Sequence, residues 1–155
     1  PNNAHFNPQQ IVKLLKDAGI DVEYKEHPFP DIWTKFIFIA SFGLVSARYD
    51  KSIGQVNEDP VLNKRATLIM REIENIARVK AVELPENIIE ITFQKAATFP
   101  YQTPTSLQLD VNSGKKNNEL ELFAGAIIDF GKNLKIPVIE TEKIYIEINK
   151  MLRGD

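Results

Sequence analysis

The stretch "DIWTKFIFIASFGLVSARYD", residues 31–50, decides the fold. From Phe36 to Val45 nothing is more polar than Ser41. A membrane-spanning helix needs roughly 20 apolar residues, whereas this run has Lys35 near one end, Arg48 just past the other and Gly43 inside. A helix that is apolar nearly all round must be surrounded by other helices. Residues 31–50 are therefore predicted to form the buried central helix of an all-α domain, capped by Asp31.

On the N-terminal side, "NPQQIVKLLKDAGI" offers Asn7 as N-cap, Pro8 at the first helical position, Gln10 in a capping-box position and Gly19 as C-terminal cap. Ile11, Leu14, Leu15 and Ala18 fall on one face. In "IDVEYK" Ile20, Val22 and Tyr24 alternate with polar residues, which predicts one short strand before Pro28 and Pro30 break the backbone. C-terminal to the central helix, a loop is expected around Asp50 to Gly54. Asp59 and Pro60 then open a long amphipathic helix through Leu62, Ala66, Ile69, Ile73, Ile76 and Ala77. Pro85 opens a further helical segment, and Pro100 and Pro104 bracket an irregular stretch before "SLQLDV". "NELELFAGAIIDFGKNL" and "ETEKIYIEINKML" complete a set of about six or seven helices with one short strand.

The chain has 155 residues, enough for one domain with a real core. Its 43% hydrophobic and 26% charged residues are ordinary for a globular protein. A net charge of -2 with interleaved signs gives no field for nucleic acid or an anionic membrane, so neither is an expected partner. No cysteine is present, which removes disulfides, thiolate nucleophiles and cysteine metal sites and fits a cytoplasmic protein. Only His5 and His27 could offer imidazole, and no metal is expected. The start, Pro1 followed by polar "NNAH", reads as a fragment boundary rather than a targeting signal. Dinucleotide, P-loop, zincin and nucleophile-elbow motifs are all missing.

Three residues are candidates for chemistry. Lys35 either snorkels to water from the start of the core helix or stands at the wall of a cleft, where burial would favour its neutral form and make it a proton donor. Ser106 follows two prolines and Thr105 at a helix start. One of Thr103, Thr105 or Ser106 is simply the cap, or the helix start holds an anion such as a substrate carboxylate. Glu119 sits in the first turn of the next helix, where the dipole alone explains an acid, and Glu121 points away from it.

Taken in order, "DIWTK", "TSLQLDVNSGKKNNELELFAGAI" and "KIPVIETEKIYIEI" resemble the carboxy-terminal domain of the ketopantoate reductase (2-dehydropantoate 2-reductase) family. That family shows a W-x-K helix start, an S-x-x-x-D segment, a T-E-[IL]-[DE] helix start with a glycine five to six residues on, and a G-I-x-[TV]-P ending. The likeness runs from about residue 7 to 150. The resemblance implies a helical fold of the 6-phosphogluconate-dehydrogenase C-terminal type. Residues 1–27 would be the connector helix and strand left from an N-terminal Rossmann domain, and 28–155 the helical substrate domain. It implies NADPH-dependent reduction of a 2-keto acid, with the cofactor held mainly by the N-terminal domain and no cofactor-binding residue in this chain.

Position by position, the resemblance makes Lys35 the lysine that protonates the carbonyl oxygen, Ser106 a substrate-holding serine, and Glu119 a glutamate that binds substrate and supports the lysine. Four residues after the lysine the family commonly has asparagine, where Ile39 stands here. Gly43, Ile53 and Thr103 align with further family asparagines. The resemblance therefore speaks more for a keto-acid reductase than for ketopantoate itself. A family member with a changed substrate, or a non-catalytic helical dimerisation or interaction domain, are the other readings. An unpaired strand and uncovered apolar helices would favour a homodimer.

Overall fold

The computed structural model describes residues 7–154. His5 lies outside them. The axis of the domain is α2, Phe29–Tyr49, in which every residue from Ala40 to Ala47 is buried. Around it pack α3 (Ile53–Glu58), α4 (Pro60–Val79), α5 (Ile88–Ala97), α6 (Ser106–Asn112) and α8 (Ile139–Arg153). A π-helical turn, Glu121–Gly125, leads directly into α7, Ala126–Leu134. α2 is long and apolar enough to cross a membrane, but half of that stretch is buried inside the domain. Full burial of a residue such as Ile37 or Leu44 is worth about 1.5–3 kcal/mol each.

α4 supplies the second wall of the core with the spacing read from sequence: Leu62, Ala66, Ile69, Ile73, Ile76 and Ala77 are all buried. Aromatic contacts tie α2 to its neighbours. Phe38 stacks on Phe99 at 5.4 Å, Phe42 meets Phe93 edge-on at 5.8 Å, and Phe36 meets Phe123 at 6.4 Å.

Outside the core, charges do the fastening. Arg65 of α4 donates to Glu140 at 2.5 Å, to both oxygens of Glu147 at 2.8 Å and to the Tyr49 hydroxyl at 2.6 Å, while Arg48 of α2 reaches Glu147 at 2.6 Å. Burial works against the Arg65 cation, but its bonds to Glu147, Glu140 and Tyr49 outweigh that and hold its pKa above the ordinary value. The bond from Arg65 in turn pulls the Glu147 carboxyl below its ordinary range, against a smaller opposing effect of burial. Glu72 accepts from the backbone N–H groups of Glu140 and Thr141 at 2.7 and 2.9 Å, and from the Thr141 hydroxyl at 2.6 Å. The open N-terminus of α8 is thus capped by a carboxylate from another helix.

Several expectations need correction. Residues 20–25 form no strand, and no strand exists among the described residues. Alternation can suit a strand, but a ladder needs a second strand to take its N–H and C=O groups, and none is offered here. Asp31 is not the cap of α2. Pro28 holds that position, and Asp31 lies in the first turn, paired with Lys25 at 2.6 Å. Gln10 forms no capping box: Asn7 caps α1 (Pro8–Asp17) through the N–H of Gln9. Pro85 precedes α5 rather than opening it. The loop expected around Asp50 to Gly54 is cut short, because a helix, Ile53–Glu58, starts within it from a capping box between Ser52 and Gln55.

Candidate active site

α6 carries Ser106, and two locks fix where α6 sits. Asp50, in left-handed conformation at the end of α2, accepts from Gln108 at 2.9 Å and Asn112 at 2.5 Å. Those two bonds, the Gln108 one first, hold its carboxyl below the usual range. The second lock is the loop before α6. Ile53 N–H donates to the Thr103 carbonyl at 2.9 Å and Gly54 N–H to the Tyr101 carbonyl at 3.1 Å. A Cβ on Gly54 would stand 2.6 Å from that Tyr101 oxygen, so only glycine lets the two backbones approach this closely.

The cap of α6 is Thr105, whose hydroxyl accepts from Gln108 N–H at 3.2 Å in a reciprocal capping box. Ser106 is therefore free of that duty. Its hydroxyl donates to Glu119 Oε2 at 2.5 Å. Glu119 is placed by the loop that ends at Asn118, whose side chain accepts from Leu120 N–H at 3.0 Å, and by the π-helical turn that follows, to which its carbonyl is bonded through Phe123 N–H at 2.9 Å. Such turns are rare and recur at functional sites. Glu121 does point away: it accepts from the Tyr145 hydroxyl at 2.5 Å, and this bond, with burial second, raises the tyrosine's pKa.

Lys35 lies in the second turn of α2 and is exposed. It makes no hydrogen bond and no ion pair among the described residues. This domain does not bury it, so the desolvated lysine of the sequence reading would require a covering partner. It lines a cleft of about 280 Å³ together with Phe38, Ile91, Thr92 and Lys95. Phe38 is shared with a neighbouring cleft of about 140 Å³, lined by Ile39, Phe42, Gly43, Ile53, Thr105, Ser106 and Phe123. Lys35, Ile39 and Gly43 are four residues apart on α2 and share one face. The structure thus joins Ser106 to Glu119 directly, and joins both to Lys35 only along this face.

Chemically, the arrangement offers an ammonium with three unspent donors and a serine hydroxyl oriented by a carboxylate. It suits a small ligand with an oxygen-rich head. No group of three potential metal ligands gathers among the described residues, and His27 is exposed. Lys95, on the wall facing Lys35, escaped the sequence reading because a basic residue in a last helical turn is accounted for by the dipole. The Gly54–Tyr101 approach had no sequence signal at all. Ile39, Gly43 and Ile53, three of the four positions that the resemblance sets against asparagines, come together in the smaller cleft, and Thr103 is bonded to Ile53 through its backbone.

The model for Ketopantoate reductase PanE/ApbA C terminal matches residues 29–151. A 2-dehydropantoate 2-reductase of Streptococcus pyogenes serotype M6 is 26% identical over 139 residues, covering 88% of this chain and 44% of the relative. The chain thus spans about half the length of the curated relatives it matches. Among solved structures, a PanE/ApbA family ketopantoate reductase from Ralstonia eutropha superposes with a TM-score of 0.85 at 22% identity, over 94% of this chain and 48% of the other. A D-mandelate dehydrogenase solved with NADH and anilino(oxo)acetate reaches 0.85 at 13% identity, over 99% and 50%. The two structures establish a shared fold; the family match, which takes in most of the chain, establishes kinship, and the chain belongs to the ketopantoate reductase family as its C-terminal helical domain.

Proposed function

We propose that this chain is the substrate-binding half of a nicotinamide-dependent 2-keto acid reductase, acting when joined to an N-terminal nucleotide-binding domain. The observation that carries this reading is the hydrogen-bonded Ser106–Glu119 pair beside the α2 face on which Lys35 presents an unpaired ammonium. Residues 28–155 form the substrate domain, with helices arranged in the 6-phosphogluconate-dehydrogenase C-terminal manner. Residues 1–27 are the connector. In support, α1 buries none of its residues and leaves Ile11 and Leu14 exposed for a neighbour. That uncovered apolar surface also fits a homodimer. The reaction is the reduction of 2-dehydropantoate to pantoate or of a related 2-keto acid, in the cytoplasm.

The chain has no glycine-rich phosphate loop and does not itself cradle a dinucleotide. Bound by the other half, NADPH supplies the hydride. Lys35 faces the carbonyl oxygen, stabilises the charge that develops there and hands over its proton. Ser106 holds a substrate oxygen by turning its O–H from Glu119, which binds the substrate beside it. Lys95 adds positive charge near the keto acid's carboxylate.

The test is turnover of the full-length protein with NADPH and a panel of 2-keto acids, with and without Lys35→Ala. Oxidation of NADPH that depends on both the keto acid and Lys35 is expected. Turnover indifferent to Lys35 would remove its role. This chain by itself is expected to be inactive, and calorimetry should detect no tight NADPH binding.

A further inference from the structure

We propose that the cleft beside Ser106 receives the side chain of the keto acid and selects an apolar one, a branched aliphatic or phenyl group, over one that carries a hydroxyl. This rests on the reductase reading and names the substrate class within it. The walls of the cleft are Ile39, Phe42, Gly43, Ile53 and Phe123. Its polar side chains are Thr105 and Ser106, and each already makes one hydrogen bond within the domain. Thr105 caps α6, accepting from Gln108 N–H at 3.2 Å, and Ser106 donates to Glu119 at 2.5 Å. A hydroxyl on the substrate's tail would leave water for alkyl and aryl surface. An apolar tail would lose nothing and remove its own surface from water.

Size points the same way. Pockets for drug-sized ligands run from roughly 300 to 1,000 Å³, and this cleft has about 140 Å³. A cavity of about 150 Å³ lined by Leu, Ile and Phe holds one benzene ring. Gly43 keeps the space open, since a Cβ there would lie 3.4 Å from the Phe123 ring. Ile39 is half-buried one turn beyond Lys35, so it meets the substrate between its reacting carbon and its tail. We assign it the role of specificity determinant.

The experiment compares kcat/KM of the full-length protein, with NADPH, for 2-dehydropantoate, for trimethylpyruvate, which differs only in lacking the hydroxyl, and for phenylglyoxylate. The wild type should prefer trimethylpyruvate over 2-dehydropantoate by about tenfold to a hundredfold, the range in which an apolar pocket rejects an added hydroxyl. Ile39→Asn should bring that ratio to one or below, and Ile39→Val should leave it in place. The ratio of two substrates is independent of how much of a variant is folded. A wild-type preference for 2-dehydropantoate, or a ratio that Ile39→Asn does not move, overturns the inference while the reductase reading stands. Absence of turnover with every keto acid sinks the reductase reading itself.

Discussion

Arg65 and Lys35 are both cations projecting from core helices, and the molecule treats them in opposite ways. Arg65 is almost enclosed, and its donors are spent on Glu140, Glu147 and Tyr49, which binds α4 to α8 and to the end of α2. Lys35 is exposed, and no acceptor among the described residues meets it. A charge whose bonds close inside the domain is there for the fold. One left open at a cleft beside an oriented serine is available to a ligand. Sequence position alone would not separate the two, since each follows its helix start by a few residues.

The contrast can be broken by two substitutions. Lys35→Ala in the full-length protein should reduce kcat by about 10²- to 10⁴-fold, the usual contribution of a general acid, with an unchanged melting temperature. Arg65→Met should do the reverse, costing about 3 kcal/mol in urea unfolding because it strands Glu140 and leaves Glu147 to Arg48 alone. That is the lower end of the range for a broken buried pair, given that Glu147 is a third exposed. Its kcat/KM per folded molecule should hold.

Acid should act on the same network. Glu147 titrates below its ordinary range when folded, so on acidification the unfolded chain takes up this proton first. The stabilisation is fully present above the ordinary glutamate pKa of about 4.3 and is lost as pH falls through the lower folded value. A melting-temperature series from pH 7 down to pH 3, run on wild type and Arg65→Met, should show a steeper acid decline in the wild type. Parallel curves would mean that the network contributes nothing to acid stability.

Much of this was legible in the residues. The apolar run of α2 and the three- and four-residue spacing of α4 fix the core, because burial on a helix imposes that periodicity on the sequence. Ser106 and Glu119 are offered as site residues by the ordered resemblance of short motifs. Their mutual hydrogen bond is not, since thirteen residues separate them and only the packing of α6 against the π-helical turn brings them together. Glu72 capping α8 and Glu140 and Glu147 gripping Arg65 are likewise long-range facts. The strand at residues 20–25 misled for a related reason: alternation records a preference for pairing and says nothing of whether a partner is present. The capping box at Ser52 and Gln55, by contrast, is a local pattern of four residues and legible in the sequence.

A subtler break is Gly54→Ala. The new methyl group would press on the Tyr101 backbone, which cannot swing away as a side chain could, and overpacking of this kind costs about 1–3 kcal/mol. Since the displaced loop leads into α6, the variant should also raise KM for the keto acid through Ser106, linking a structural lock to the cleft. A Gly54→Ala protein that loses stability but keeps its KM would uncouple the two regions.

The finest division falls between two adjacent residues. Thr105 caps α6, so Thr105→Ala should cost about 1 kcal/mol in denaturant unfolding. Ser106 is exposed and bonded only to Glu119, so Ser106→Ala should stay within about 0.5 kcal/mol of wild type, as exposed substitutions do. Its effect should appear instead in KM for the keto acid. If Ser106→Ala destabilises the domain as much as Thr105→Ala and leaves KM unchanged, then its bond to Glu119 is a fastening like those of Arg65, and the boundary between fold and site has to be drawn one residue further along α6.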